Sequence, residues 1–233
     1  MSPSLWKLNP QNKLGHENMI RDVMSRNFEL QEYIYDGHIG RDTLKEIKST
    51  SWSEIKKGSD YIRAKHRGAE FLFSNFHLVR IRADEDFMTA SSTVVFVGQW
   101  IILNLDRGGL SRMAIDENQI LGDFPGLPHV EYSTDNKMFN NKFRILADDP
   151  KMVPTIATPA FIDNIMSIDQ VTQGASKGKK LFFIQGRHMH IILHTKRYFF
   201  EANKLAEVPA RVEADVNCIK HILDVLSLHS LDV

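Results

Sequence analysis

The sequence has 233 residues, 42% of them hydrophobic and 25% charged, with a formal net charge of zero. That is the balance of an ordinary globular chain, and it argues against a polyanion-binding protein, which usually carries a basic excess, so no nucleic-acid partner is expected. The one cysteine, Cys218, leaves no internal disulfide to form and fits a reducing compartment.

No run approaches the ~20 apolar residues of a membrane span. No apolar signal core follows Met1. A soluble cytoplasmic protein, or a soluble piece of something larger, is the expectation. The length predicts one large domain, or one domain with a helical extension.

Taken in order, Ser2 to Leu14 is irregular, with Pro3 and Pro10 and no period. His16 to Tyr33 reads as a helix with Ile20, Val23, Met24 and Phe28 on one face. Gly37 and Gly40 break it, Asp42 to Ile47 predicts a short helix, and Ser49 to Ser53 ends that helix. From Ser59 the period changes to two. Tyr61–Lys65, Ala69–Phe73, Leu78–Arg82, Thr93–Val97 and Trp100–Leu105 read as five short strands. Their separators are Gly68, Ser74-Asn75, Asp84-Glu85-Asp86 and Gly98. Tight turns predict antiparallel neighbours, because parallel pairs need a long crossover. Leu121 to His129, with two glycines and two prolines, reads as a surface loop or a joint.

Phe139 to Asn203 is the stretch around which the chain is organised. Lys142–Leu146 is a short strand running into the turn Asp148-Asp149-Pro150. Thr158-Pro159 opens a helix: a threonine oxygen can cap a first-turn amide, and proline has no amide to leave unpaired. Phe161, Ile162, Ile165, Met166 and Ile168 make its apolar stripe, which predicts packing on a sheet. Gln173 to Lys180 is an exposed loop. Lys180–Gln185 and His188–His194, joined at Gly186-Arg187, form a hairpin. Tyr198–Glu201 reads as a bent continuation of its second strand. Val212 to Leu228 is a C-terminal helix with Val212, Val216, Ile219, Leu223 and Leu226 in one stripe. Cys218 lies within it and is expected to be a buried, inert thiol.

Four groups of residues bear on chemistry. His188, His190 and His194 share a strand face, and His188 with His190 could bind zinc, the centre of a metal-dependent hydrolase reading. The bland alternative makes this the solvent face, with Met189, Ile191 and Leu193 in the core. Strand rise places His194 about 13 Å from His190, too far for one ion. Gly174 to Lys180 echoes a phosphate loop but has the wrong glycine spacing, lacks a Ser or Thr after the lysine, and leads into a strand. Arg63, Lys65 and Arg67 share one face, as do Arg80 and Arg82. If the faces meet, they form an anion or lipid-headgroup patch. Otherwise they are polar faces balanced by Asp84, Glu85 and Asp86. Asp148-Asp149 reads as a turn, and Asp163 and Asp169 as the wet side of their helix. Ser74 and Ser133 lack the glycine-flanked context of a nucleophile.

Several phrases in this order carry a family resemblance. They are Ser59-Asp60-Tyr61-Ile62 with Gly68 and Phe73-Ser74; Val95 to Trp100; Phe139 to Phe143 leading to Thr158-Pro159; and the hairpin ending in Phe200-Glu201. Over roughly Ile55 to Leu226 the chain resembles the bacterial domain-of-unknown-function family 3137. The resemblance implies bacterial origin and no assigned activity or catalytic residue. Many members look like membrane proteins with helices ahead of this domain, which implies membrane association. This chain departs from them in having no apolar span, so it is a soluble branch or one whose anchor was removed.

Together these readings predict an α+β fold: an antiparallel sheet, a strand–helix–hairpin unit, and N- and C-terminal helices. Residues 1–57 are expected to form a helical extension and 58–233 the α+β domain, with the joint at 121–129. No acid, base and nucleophile set is left over. The leading expectation is therefore a non-enzymatic binding or regulatory module without a cofactor, acting on a protein partner or small ligand. The alternatives are a zinc hydrolase at His188/His190 and a peripheral membrane or anion-binding domain at Arg63, Lys65, Arg80 and Arg82.

Overall fold

The computed structural model describes residues 10–44, 54–84, 89–105, 109–117, 128, 130–175, 179–201 and 205–227. The elements are α1 (Pro10–Asn27), β1 (Glu29–Ile34), α2 (Arg41–Leu44), β2 (Glu54–His66), β3 (Ala69–Asp84), β4 (Thr89–Asn104), β5 (Leu110–Glu117), β6 (Val130–Tyr132), α3 (Lys137–Asn140), β7 (Phe143–Ala147), α4 (Val153–Ile156), α5 (Pro159–Ala175), β8 (Lys179–Gly186), β9 (His188–His194) and α6 (Val208–Ser227). The strands form one sheet in the order β1-β2-β3-β4-β9-β8-β5-β7-β6. Every pairing is antiparallel. The fold is α+β.

Period-two alternation sorts the side chains onto two faces, and both are buried. On one face Phe71, Phe73, Ile101, Leu103, Ile115, Phe182, Ile184, Met189 and Ile191 pack with the stripes of α1, α5 and α6. On the other, Phe76, Leu78, Phe96, Trp100, Ile102, Phe183 and Ile192 form a second cluster with Ile39 and Leu44. Strands buried on both sides read as unbroken apolar runs, which is how Leu181–Ile184 and Ile191–Leu193 read.

Several expectations hold. Thr158 Oγ1 accepts from the Phe161 amide at 3.3 Å, and α5 begins at Pro159. The hairpin turns at Gly186, whose φ of 62° suits glycine. Cys218 is buried, and burial first, then Asp215, pushes its thiol up to about 12.

Others need correction. The helix expected over His16–Tyr33 ends at Asn27, and Glu29–Ile34 is a strand paired with Tyr61–Lys65. The residues 1–57 thus supply an edge strand and the start of β2. The five expected strands are three long ones, β2, β3 and β4. Asn75 does not break β3 because it sits opposite Gln99 in register and both are buried and hydrogen-bonded. Gly98 does not break β4. It is there because a Cβ would lie 1.9 Å from Leu193 O. Tyr198–Glu201 is no strand: Phe200 has φ 68° and the chain turns inward. The loop or joint expected over 121–129 lies outside the described residues except for Pro128; of the short helix expected over 42–47, residues 42–44 lie in α2 and 45–47 are outside the described residues.

Candidate functional site

Among the described residues, polar side chains gather in a buried belt across one side of the sheet, in an open cleft at its far end, and in the ion pairs of Asp116 with Arg144 and Glu117 with Lys180. The belt starts at a register shift in β2 between Ser59 and Ile62. Asp60 takes φ 56° there, a left-handed conformation that aspartate tolerates better than most residues. Its Oδ1 accepts from the Tyr33 hydroxyl at 2.9 Å. Its Oδ2 accepts from Ser59 Oγ at 2.7 Å and Asn75 Nδ2 at 2.9 Å. Burial raises the Asp60 carboxyl above its ordinary 3.8, against the pull of those three donors. Burial, then the Asp60 charge, drives the Tyr33 phenol up, and the same two causes push Tyr35 up to about 12.

Asn75 passes the belt on. Its Oδ1 accepts from the Phe199 amide at 2.8 Å and from Gln99 Nε2 at 3.2 Å. Gln99 Nε2 also reaches Arg197 O at 2.8 Å. Thr195 Oγ1 lies 2.9 Å from Gln99 Oε1 and 2.7 Å from Arg197 O, so its proton serves one at a time. Arg197 then grips the fully buried Asp215 with two nitrogens, at 3.0 and 2.6 Å. The Phe200 amide donates to Asp215 Oδ2 at 2.8 Å, and Phe200 O accepts from His16 Nε2 at 2.9 Å. A bulky residue at positive φ costs about 1–3 kcal/mol. The bonds from Asp215 and His16 hold Phe200 there from both sides.

Most of the belt's polar atoms are hydrogen-bonded within the fold; the buried Nδ1 of His16 is the exception. Each oxygen of Asp60 and Asp215 already accepts from a protein donor, three bonds to each carboxylate. The belt joins α1, β1 to β4, the 195–201 turn and α6 into one unit. One signal in the sequence could have found it. Asn75 and Gln99 share the parity of Phe71, Phe73, Ile101 and Leu103, so they are polar residues on an apolar face.

The cleft has a volume of about 480 Å³ and is lined by Tyr132, Thr134, Asp135, Asn136, Pro154, Ala157, Pro159, Ile162 and Asp163. One wall is the turn from β6 to α3. Asn140 Oδ1 accepts from both the amide and hydroxyl of Thr134, at 3.1 and 2.9 Å, and Asn136 Oδ1 caps the Phe139 amide at 3.0 Å. These bonds fix the wall. The opposite wall is the α4–α5 corner, where Pro154 lies in the first turn of α4 and Pro159 begins α5. Asp135 and Asp163 are exposed at the rim, whereas Ala157 and Ile162 are buried in the floor.

The sequence-predicted residues fall elsewhere. His190 is fully buried: Trp100 Nε1 lies 3.3 Å from its Nδ1, and the Phe183 ring lies 6.1 Å away. The histidine face is therefore not the solvent face, and Ile192, between His190 and His194, was the clue. The His188 and His190 rings are 6.2 Å apart, and among the described residues no group of three or more His, Cys, Asp or Glu side chains gathers that could hold a metal. His194 packs on Phe96, and burial, then Lys196 and Lys179, lowers its pKa.

Arg63 pairs with Glu70, Lys65 with Glu29 at 3.9 Å, and Arg67 with Asp224 at 3.0 Å. Arg63 lies opposite Leu72, eight residues from Arg80 on β3 and so about 26 Å from it at ordinary strand rise. The side chains of Arg80 and Arg82 lie outside the described residues. Lys180, last of the glycine-flanked basic run, is buried against Glu117 at 3.2 Å. Asp149 caps a 3-10 turn, and Asp148 pairs with Arg112 at 2.6 Å.

Among the described residues no helix is long and apolar enough to cross a membrane. The fold is similar to the crystal structure of the mycobacterial trehalose monomycolate transport factor A, TtfA, with a TM-score of 0.44 at 10% identity over 93% of this chain and 97% of that one. A search of curated proteins finds no match. The family model described as "Protein of unknown function (DUF3137)" matches residues 86–229. That span opens just after β3, so β1 to β3 and the Asp60 end of the belt precede it. It covers more than half of the sequence, and the chain belongs to this family.

Proposed function

We propose that this protein is a non-enzymatic binding or regulatory module of a bacterial cytoplasm or its membrane face, and that it engages a partner through the cleft between β6 and the α4–α5 corner. No cofactor and no nucleic acid belong to this reading. The observation that carries it is the cleft's chemistry: an apolar floor, one wall held by its own capping bonds, and two outward carboxylates. A preformed apolar concavity with a few polar groups suits recognition. The belt, with its buried Asp60 and Asp215, is occupied in joining elements of the fold.

The test fills the cleft. Pro154→Trp replaces an exposed lining residue with a bulky one, and thermal unfolding confirms that the variant folds. Affinity capture with mass spectrometry is run on wild type and variant. The expected result is a protein retained by the wild type and lost with Pro154→Trp. Turnover of any substrate class, abolished by one substitution in the cleft or the belt, overturns the reading.

A further inference from the structure

We propose that the cleft takes an extended peptide segment of a partner protein, which adds as a strand to the free edge of β6 and sets a lysine or arginine side chain between Asp135 and Asp163. The inference rests on the binding reading above and names its occupant.

Three observations converge. First, β6 is the terminal strand of the sheet and pairs only with β7, so among the described residues its outer edge has no strand. An open edge is a template for another chain, and natural proteins usually guard it with charge or proline. Here the strand exposes Val130 at 47% beside the exposed, acidic Glu131, which suits a cationic chain. Second, Tyr132 belongs to both that strand and the cleft. Alternate side chains of an added strand would point to one face, and Ala157 and Ile162 line the cleft together with Tyr132. Third, the cleft's charged lining is two carboxylates, Asp135 and Asp163, and no cation. Among the described residues neither has an ion pair or hydrogen bond, unlike Asp148 and Asp149 at the same end of the sheet. An unpaired acidic rim over an apolar floor fits an apolar side chain next to a cationic one.

The probe is a panel of fluorescein-labelled six-residue peptides alternating Val and Thr, with one position carrying Lys, Arg, Glu or Leu. Binding is read by anisotropy, and its location by amide shifts of the labelled protein. The Lys and Arg peptides are expected to bind and to move the amides of Val130–Asn136. Asp135→Asn and Asp163→Asn should each weaken them about two- to fivefold, the usual worth of an exposed charge pair, and added salt should do the same. Val130→Lys, which charges the edge without touching the core, should abolish the amide shifts.

Equal binding of Glu or Leu peptides, or affinity indifferent to both aspartates, overturns the cationic occupant. Binding that leaves the Val130–Tyr132 amides unmoved overturns strand addition. No binding by any peptide, alongside a captured protein that Pro154→Trp releases, overturns this inference and leaves the binding reading standing. Failure of both experiments overturns both.

Discussion

The belt and the cleft each hold two carboxylates, and they treat them in opposite ways. Asp60 and Asp215 are buried and accept six hydrogen bonds from side chains and backbone. Asp135 and Asp163 are exposed, with no bonded partner among the described residues. Burial without partners costs a charge several kcal/mol, so an interior carboxylate must be saturated by the fold, while a rim carboxylate keeps its bonding capacity for something else. In these two places burial separates carboxylates that the fold has bonded from carboxylates that face solvent.

The sharpest way to break the contrast is to remove one partner from the belt. Arg197→Met leaves Asp215 buried with an uncompensated charge and should cost about 3–5 kcal/mol in equilibrium urea unfolding. A loss under 1 kcal/mol would show that the pair is not structural. Gly98→Ala comes next. A Cβ at 1.9 Å from Leu193 O forces β4 and β9 apart, and overpacking of this kind costs about 1–3 kcal/mol or more. The same unfolding assay reads it.

The third prediction concerns pH. The folded-state pKa of Asp60 is raised, so its contribution to stability is complete below the ordinary 3.8 and is lost as pH rises through the higher folded value. Asp60→Asn keeps the shape and tolerates the positive φ. It should flatten that decline when urea midpoints are compared across the acidic range. Parallel wild-type and variant curves would contradict a raised pKa. The smallest effect belongs to the cleft: Asp163→Asn should change stability by less than about 0.5 kcal/mol, as exposed substitutions usually do. A large loss there would mean that the cleft carboxylate is structural too.

Legibility in the sequence followed the range of the interactions. The α5 cap, the 186–187 turn and the apolar stripes depend on neighbours within a few residues, and they could be read directly. The strand Glu29–Ile34 could not. Its Glu-Leu-Gln-Glu composition is at home in a helix, and only pairing with β2 and the bond from Tyr33 to Asp60 make it a strand. Ser74-Asn75 and Gly98 looked like breaks because their partners, Gln99 and Phe199 for Asn75 and the Leu193 backbone for Gly98, lie far along the chain. The histidine face misled for the same reason: alternation shows that a strand has two faces, not which of them is covered.

The sequence alone determined the fold class, the antiparallel character, the cap of α5 and the inward stripes of α5 and α6, because periodicity and turn chemistry are local. The tertiary structure decided the rest. It put both sheet faces in the interior, joined Asp60, Asn75, Arg197 and Asp215 from four separate segments, and opened a cleft between β6 and α5. Contacts between separate segments, from 15 positions apart for Asp60 and Asn75 to 124 for Asn75 and Phe199, leave no period in the chain, and they arise only when the sheet closes.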